Sequence, residues 1–304
     1  MEKKNILIIK ENDNDFEKFY NKHIRECGVD VATPDQFRLR TGSKVKKIIN
    51  LAKAFFVLKN GVDLKKYDLI IIFEDVKIIP IVYKHKKNEA KIILWNWNIK
   101  TRDQANEQKR YNRMCEIWTF DKNDAQKYGW DLNNQFYFNL KFSSNHKNEE
   151  KQVFLACVDK GRYQIAREIR RSLMKLGVVC DFWLVKQNGK IYDEKDSEWL
   201  KDSALSYDVF LEKVQESDIV IDLVQEGQSG ITVRILEAIM MNKKIITNNC
   251  EIRKSEFYDS QNIYIWNKKN DENQLINFIN KENCVYNDSI KGKYMFDNWI
   301  NKFY

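Results

Sequence analysis

Short apolar runs alternate with stretches of helical periodicity along most of the chain. The run Asp68–Phe73, which holds four consecutive aliphatic residues, is typical of a strand that is buried on both faces. Similar runs predict further strands in the first half of the chain, at Asn5–Lys10, Val29–Thr33, Lys91–Trp97, Glu116–Phe120 and Gln135–Phe138. Because helical stretches separate these runs, the pattern predicts a parallel α/β sheet.

The pattern stops at Ser143–Lys151, a polar stretch without apolar periodicity that we interpret as a linker. It then restarts, with strands predicted at Gln152–Val158, Val178–Val185, Asp218–Val224 and Lys244–Asn248 and helices at Tyr163–Leu176 and Gly230–Met241. Two Rossmann-like domains in tandem fit this order, with boundaries at 1–145 and 152–287. Ligands of such sheets bind at the carboxyl ends of the strands, so two facing domains would place a site in the cleft between them.

The composition is that of a folded protein, since 43% of the 304 residues are apolar and 32% are charged. The apolar runs are strand-sized, and none approaches the roughly 20 residues that a membrane-spanning helix needs. The first residues lead directly into a strand, so we expect neither an integral membrane protein nor a signal peptide. Six cysteines are scattered without metal-binding spacing, which favours reduced thiols and a cytoplasmic protein.

Positive charge is concentrated in the first half of the chain. Residues 1–146 contain 28 Lys and Arg against 19 Asp and Glu, whereas residues 147–304 contain 24 against 25. Such a surface fits nucleic acid, an anionic membrane or a phosphorylated substrate, although a merely solvated lysine-rich surface would give the same counts.

The most informative segment follows the predicted strand Asp218–Val224 and combines a glycine loop, Glu226–Gly230, with the start of a helix. Gly227 and Gly230 allow backbone N–H groups to approach a ligand closely, and a helix N-terminus carries about half a positive charge. Together they predict an anion site that suits a diphosphate.

Arg234 and Glu237 lie on one stripe of this helix with Gly230, whereas the rest of its circumference is apolar. Charges in such a setting are seldom buried without a partner, so either the two side chains pair or they face a cleft and bind a ligand. We favour the ligand because the stripe begins at the glycine loop. Glu237 would accept hydrogen bonds from a ribose diol, and Arg234 would contact a phosphate or a sugar.

These residues resemble the C-terminal-domain signature of GT-B glycosyltransferases, in which a glycine loop and a helix ending in Glu-Ala hold the nucleotide sugar. The resemblance includes Glu226-Gly227, Leu236-Glu237-Ala238 and the following segment Lys244–Asn249. Where the large retaining group has a second glutamate, this chain has Ser229, which leaves the stereochemical outcome open. The form Q-S-G-x-T-x-R-x-x-E is more similar to bacterial lipopolysaccharide and capsular polysaccharide biosynthesis transferases.

The resemblance implies a metal-independent transferase with an N-terminal acceptor-binding domain, a C-terminal nucleotide-sugar-binding domain and no cofactor. The turn at Lys160-Gly161-Arg162 is placed as in this fold, where basic residues face the donor diphosphate. Lys160 and Arg162 are therefore either catalytic groups that stabilise the leaving group or ordinary turn residues. The donor-binding candidates are Lys160, Gly161, Arg162, Glu226, Gly227, Gln228, Ser229, Gly230, Thr232, Arg234 and Glu237.

The last segment, 288–304, is predicted to form one amphipathic helix, because Met295, Trp299 and Phe303 recur every four positions. In GT-B enzymes a terminal helix often crosses back to the N-terminal domain, and the resemblance implies the same crossing here. The alternative is that the apolar stripe lies on a membrane together with the lysines of this segment, Lys291, Lys293 and Lys302.

An inverting transferase would also need a general base in the N-terminal domain. Polar residues at or near the predicted strand ends are candidates, namely Glu11, Asp13, Glu74, Asp75 and His85. We choose Glu74 or Asp75 as catalytic residues, because they directly follow the most apolar strand.

The sequence Asp13-Asn14-Asp15 matches the D-x-D metal motif of the other glycosyltransferase fold. It directly precedes a stretch of helical periodicity, so we interpret it instead as a helix start that is capped by Asn12 or Asp13. No metal site is therefore expected.

The resemblance implies that the chain moves a sugar from a nucleotide sugar to a glycan or lipid-linked acceptor of lipopolysaccharide, capsule or exopolysaccharide. The basic first half would bind this anionic acceptor and hold the protein at the inner face of the cell membrane.

The alternative is a nucleic-acid-binding α/β protein that uses the basic surface and its aromatic residues, Trp95, Trp97, Trp118, Phe120, Tyr128 and Trp130. It does not explain the glycine loop with Arg234 and Glu237, so no nucleic-acid partner is expected. A dinucleotide oxidoreductase is excluded, because no glycine follows the first predicted strand between Lys10 and Asp15.

Overall fold

The structure is a computed structural model that describes residues 4–37, 62–140, 142, 150–267, 272–282 and 285–304. The chain divides into two compact units, of which the first comprises Met1–Asn133 with Lys302–Tyr304 and the second comprises Asn134–Asn301. The linker predicted at Ser143–Lys151 lies outside the described residues as far as Glu149.

The first unit is built on a parallel sheet that has six strands in the part of the chain described. The strands are β1 Ile6–Ile9, β2 Asp30–Ala32, β3 Leu69–Phe73, β4 Lys91–Asn96, β5 Glu116–Thr119 and β6 Asp131–Leu132. Their order in the sheet is β2-β1-β3-β4-β5-β6. All five residues of β3 are buried, as the uninterrupted aliphatic run predicted. The prediction of a parallel α/β sheet is confirmed.

Helices and short 3-10 turns connect these strands. In residues 4–37 and 62–133 the helices are α1 Asp15–Glu26, α2 Ile79–His85, α3 Arg102–Lys109 and α4 Lys122–Tyr128, and the 3-10 turns are Pro34–Gln36, Leu64–Lys66 and Val76–Ile78. The side chain of Asn14 caps α1 by accepting a hydrogen bond from Glu17 N at 3.0 Å. The prediction that Asn12 or Asp13 caps this helix was therefore wrong, because the extended backbone needed at the cap occurs at Asn14.

The second unit has its own parallel sheet, again with six strands in the residues described. They are β7 Gln152–Val158, β8 Val179–Val185, β9 Leu200–Lys201, β10 Ile219–Asp222, β11 Lys244–Thr247 and β12 Ile263–Ile265, in the order β12-β11-β10-β7-β8-β9. Aliphatic side chains from the strands and from the covering helices form one continuous core, in which Val153, Ile169, Leu173 and Ile219 are completely buried. The predicted tandem α/β architecture is confirmed.

The helices of the second unit are α5 Tyr163–Lys175, α6 Tyr207–Glu216, α7 Val233–Met240, α8 Glu272–Asn280, α9 Asp288–Lys293 and α10 Phe296–Asn301, with 3-10 turns at Glu194–Asp196 and Cys250–Lys254. Helix α7 begins three residues later than predicted. The hydroxyl of Thr232 accepts a hydrogen bond from Ile235 N at 3.2 Å and caps it, so Gly230 and Ile231 stay in the preceding loop.

The aromatic segment predicted as a strand at Gln135–Phe138 is not part of either sheet, and that prediction was wrong. Its backbone instead pairs with the C-terminal segment. Tyr137 N donates to Tyr294 O at 2.8 Å, and Phe296 N donates to Tyr137 O at 2.9 Å. These bonds take the backbone groups that a continuous helix would use, so the single helix predicted for 288–304 is divided into α9 and α10.

Of the aromatic residues in the C-terminal segment, Phe296 and Trp299 are buried in the second unit and Phe303 is buried in the first. Trp299 and Phe296 pack on the ring of Phe136 within the second unit, with centroid distances of 4.3 Å and 5.2 Å. Phe303 belongs to the first unit and packs on Trp118 there, at 4.9 Å. The chain thus ends in the unit in which it began.

Candidate active site

The carboxyl ends of β7 and β10 form the switch point of the second sheet. From β7 the chain adds strands toward β9, and from β10 it adds them toward β12 on the other side. In open parallel sheets this reversal separates the two neighbouring loops and leaves room for a ligand. The predicted donor-binding residues lie in the two loops at this point, and in the first turns of α7.

The loop after β7 is organised by a buried carboxylate, Asp159, that no sequence motif singled out. Asp159 is fully buried and accepts hydrogen bonds from Gly161 N at 3.1 Å and Tyr163 N at 2.9 Å. Its other oxygen accepts from Lys190 Nζ at 3.0 Å and Tyr192 OH at 2.8 Å. Although burial opposes ionisation, these hydrogen bonds lower the pKa of Asp159 below its ordinary value.

Arg162 binds the protein backbone. Its guanidinium donates to Val158 O and Asp159 O, at the end of β7, and to Leu223 O at 2.8 Å, just beyond β10. One side chain therefore ties together the two loops of the switch point. This geometry assigns Arg162 a positioning contact, and its predicted role on a leaving diphosphate stays a prediction.

Lys160 is the exposed cation of the same turn. Its backbone lies in the left-handed region, with φ of 40°, and its side chain makes no hydrogen bond or ion pair to the part of the chain that the structure describes. Non-glycine residues in this region are uncommon and are concentrated at functional sites. Gly161 beside it has φ of 88° and open space at the Cβ position.

Two asparagines after β11 hold the glycine loop, although the sequence marked them only as part of the segment Lys244–Asn249. The amide of Asn248 accepts from Val224 N at 2.7 Å and donates to Val224 O at 3.1 Å. Asn249 Nδ2 donates to the carbonyls of Ser229 and Gly230, at 3.3 Å each. The loop backbone is thus fixed on its inner side, whereas Glu226 and Gly227 are exposed and Gln228 is half-buried.

Asp222 lies beneath this loop at the end of β10. It is 5% exposed, and its Oδ1 accepts from the hydroxyl of Thr232 at 2.9 Å. Within the described residues its Oδ2 has no hydrogen-bond partner. Burial raises the pKa of Asp222, and the Thr232 hydrogen bond and the charges of Arg234 and Arg162 oppose this rise. Asp222 thereby supports the residue that caps α7.

Arg234 and Glu237 pair with each other in the structure, which is the first of the two alternatives left open by the sequence. Arg234 NH1 donates to Glu237 Oε2 at 2.6 Å, and the guanidinium lies 3.5 Å from the ring centre of Phe210. The Glu237 side chain is 1% exposed, whereas that of Arg234 is 27% exposed. Arg234 is therefore the member of the pair that solvent reaches, and contact of either side chain with a donor stays a prediction.

In the first unit, the chosen base candidates make structural contacts. Glu74 has φ of 64° and accepts hydrogen bonds from Trp97 N at 2.6 Å and Asn98 N at 2.8 Å, and it forms an ion pair with Lys100. Burial lowers the pKa of Lys100 to about 8. Asp75 accepts from Lys77 N at 2.9 Å and caps a 3-10 turn. A role of Glu74 or Asp75 as general base stays a prediction.

Lys10 is a buried cation at the carboxyl end of β1, and it was not among the candidates drawn from the sequence. Lys10 is 2% exposed and forms an ion pair with Glu17. Four aromatic rings surround its Nζ at 5.3 to 5.7 Å, those of Phe16, Tyr20, Phe73 and Trp97. Burial lowers the pKa of Lys10 to about 7.

This lowered pKa predicts that the stability of the first unit rises with pH. Between about pH 7 and the ordinary lysine value of 10.5, the unfolded chain binds a proton at Lys10 that the folded chain has lost. Replacing Lys10 by methionine should remove this rise, which is at most about 1.4 kcal/mol per pH unit. Urea unfolding from pH 7 to 9.5 measures it, with the exposed Lys18→Met as control. Equal slopes in all three proteins would contradict the prediction.

Among the residues described, no group of three or more His, Cys, Asp or Glu side chains is arranged to hold a metal ion. Asp13 accepts a hydrogen bond from Asn14 Nδ2 at 2.9 Å. No helix in the described part of the chain combines the length and apolarity needed to cross a bilayer.

No protein-family model and no curated protein sequence matches the chain. Its fold nevertheless matches solved glycosyltransferase structures over nearly the whole length. AviGT4, a glycosyltransferase involved in avilamycin A biosynthesis, is 9% identical with a TM-score of 0.61, over 99% of this chain and 96% of that one. The lipopolysaccharide outer core galactosyltransferase WaaB is 10% identical with a TM-score of 0.55, over 98% of each chain.

A third match is Alr3699/HepE of Anabaena, solved in complex with UDP. It is 12% identical with a TM-score of 0.51, over 91% of this chain and 89% of that one. At such identities the similarity concerns the fold. The GT-B architecture inferred from the glycine loop and the Glu-Ala helix is confirmed, and the chain has the fold of the GT-B glycosyltransferases.

Proposed function

We propose that this chain is a glycosyltransferase that takes a sugar from a nucleoside diphosphate sugar. One observation carries the proposal: the exposed cation Lys160 and the exposed start of the glycine loop, Glu226-Gly227, lie at the same switch point, where Arg162 donates a hydrogen bond to Leu223 O. A loop of this kind suits the phosphates of a nucleotide, because backbone N–H groups and a cation together stabilise a diphosphate.

The residues of the second unit divide into those that bind and those that position. Lys160 supplies a positive charge for the diphosphate as the sugar–oxygen bond breaks. Gly227 has open space where a side chain would be, so a phosphate can approach its backbone. Asp159, Arg162 and the asparagines after β11 hold these loops in place.

In this proposal the acceptor binds to the first unit, which carries the excess of positive charge. An anionic surface glycan, on lipopolysaccharide or on a lipid carrier of capsule or exopolysaccharide synthesis, is the acceptor class that such charge favours. A lipid-linked acceptor would place the protein peripherally on the inner, cytoplasmic face of the membrane. The match to WaaB, described as a lipopolysaccharide galactosyltransferase, supports this class.

The experiment that tests the function is a thermal-shift panel with UDP, GDP, CDP, CMP and dTDP. A ligand that binds the native state raises the melting temperature by mass action, so one of these nucleotides should stabilise the chain at millimolar concentration. If none does, a nucleotide-sugar transferase is the wrong assignment.

Lys160→Ala separates binding from catalysis at the same site. We expect the variant to keep most of its affinity for the nucleotide but to hydrolyse or transfer the sugar about 100-fold more slowly, because the charge acts mainly on the departing diphosphate. The matched control is Lys175→Ala, an exposed lysine at the far end of α5. Release of nucleoside diphosphate from the sugar nucleotide is the measurement, and equal rates in both variants would remove Lys160 from the mechanism.

A further inference from the structure

A chain of buried hydroxyl groups ends on the carboxylate of Glu237. The hydroxyls of Tyr137 and Tyr207 are 3.3 Å apart, and Tyr207 OH donates to Glu237 Oε1. Arg234 donates to the other carboxylate oxygen, Oε2. Tyr137, Tyr207 and Glu237 are 0%, 6% and 1% exposed, so of these side chains only Arg234 is substantially open to solvent.

Helix α6 supplies two of the groups around this pair. Tyr207 is its first residue, fixed by the hydroxyl of Ser206, which accepts a hydrogen bond from Val209 N. The ring of Tyr207 stacks on Phe210 at 5.8 Å, and Phe210 in turn contacts the guanidinium of Arg234. One rigid element therefore determines where both halves of the Arg234–Glu237 pair lie.

The charge state of Glu237 depends on these neighbours. Burial raises the pKa of Glu237, the charge of Arg234 and the hydrogen bond from Tyr207 oppose that rise, and the nearby Asp222 adds to it. A hydroxyl that donates to a carboxylate favours the ionised form, so removing this hydroxyl favours protonation. The desolvated position of Glu237 makes the contribution of a single hydrogen bond large.

We propose that Tyr207 is a positioning residue of the nucleotide site, whose hydroxyl fixes the Glu237 carboxylate so that this carboxylate holds Arg234, the solvent-exposed member of the pair, in one orientation for the ligand. The inference rests on the proposed function, because it assumes that the Arg234–Glu237 pair takes part in nucleotide binding through Arg234. The hydroxyl of Tyr137 contacts that of Tyr207 but not the carboxylate, so Tyr137 should have a smaller effect on nucleotide affinity.

Tyr207→Phe tests the inference through the pH dependence of affinity. Nucleotide binding should weaken as pH falls and Glu237 takes up a proton, and the midpoint of this loss should lie about one pH unit higher in the variant than in the wild type. Affinity should agree within about twofold on the alkaline side of both midpoints, and on the acid side the variant should bind up to about tenfold more weakly than the wild type.

Calorimetric titration from pH 5 to 9 measures these profiles, with whichever of UDP, GDP, CDP, CMP and dTDP stabilises the wild type. The terminal phosphate of the nucleotide also titrates near pH 6, but it does so equally in every protein compared. The matched control is Tyr286→Phe, a buried tyrosine of the same unit whose hydroxyl donates to the carbonyl of Lys243. Glu237→Gln should bind the nucleotide weakly, and its affinity should lack the pH dependence that protonation of Glu237 causes.

The outcomes distinguish a failure of the proposed function from a failure of the role of Tyr207. If no nucleotide binds the wild type, the proposed function fails. If a nucleotide binds and the profiles of Tyr207→Phe and the wild type coincide, the function stands and the role of Tyr207 is wrong. That role is also wrong if Tyr286→Phe shifts the midpoint equally, or if Glu237→Gln keeps the wild-type profile.

Discussion

Replacing Phe303 by alanine is expected to lower the free energy of unfolding of the first unit by about 3 to 5 kcal/mol. The ring of Phe303 is 1% exposed and packs edge-on against Trp118, at 4.9 Å, and against Trp95, at 6.3 Å. Its backbone carbonyl also accepts a hydrogen bond from Lys91 Nζ at 3.1 Å. Removing the ring leaves a cavity among side chains that strands β4 and β5 hold in place, so little of the loss can be recovered by collapse.

Hydrogen exchange shows which of the two units loses stability, whereas a single melting temperature of the whole chain does not. Amides of β3 and β4 should lose protection in Phe303→Ala, whereas those of β10 and β11 should keep theirs. The neighbouring Tyr304→Ala is the matched control, because Tyr304 is 49% exposed and its ring lies beneath the ammonium group of Lys4. We expect that control to change stability by less than about 1 kcal/mol. Equal loss of protection in both units would show that Phe303 does not act on the first unit specifically.

The same burial bears on the membrane alternative for the C-terminal stripe. Trp299 and Phe303 are each 1% exposed, so neither ring is available to a bilayer in this conformation. The periodicity of the segment correctly identified its apolar residues. It failed to locate the break between α9 and α10, because that break results from hydrogen bonds to Tyr137, which is distant in sequence.

Most of the longer strands were predictable, because a parallel sheet covered on both faces requires apolar runs, and the run of β3 is uninterrupted. The glycine loop was predictable for a related reason, since only ten glycines occur in the chain and two of them fall directly between a strand and a helix. Local sequence therefore sufficed for most of the strands and for the position of the glycine loop.

Contacts that depend on tertiary structure were not predictable in the same way. Arg162 was selected for its charge, but its partners are backbone carbonyls, which every residue has and no sequence pattern marks. In the sequence, Lys10 is only the last residue of a predicted strand. Its aromatic neighbours come from α1, β3 and the turn after β4, and only the fold brings them together.

Replacing Arg234 by methionine is expected to lower the free energy of unfolding of the second unit by about 3 kcal/mol. The change leaves the Glu237 carboxylate, which is 1% exposed, without its counter-charge. The expected loss lies at the lower end of the range for buried pairs, because the Arg234 side chain is itself 27% exposed and partly screened by solvent.

A second variant distinguishes the structural role of this pair from its proposed role in binding. Adding Glu237→Gln to Arg234→Met removes the orphaned charge but keeps an oxygen that can accept the Tyr207 hydroxyl, so most of the lost stability should return. Nucleotide affinity should stay low in the double variant, because neither the cation nor the carboxylate is present. Urea unfolding and calorimetric titration of the wild type, the single and the double variant give both quantities. Stability restored together with wild-type affinity would mean that the pair serves only the fold, and that the nucleotide is held by Lys160 and the glycine loop without it.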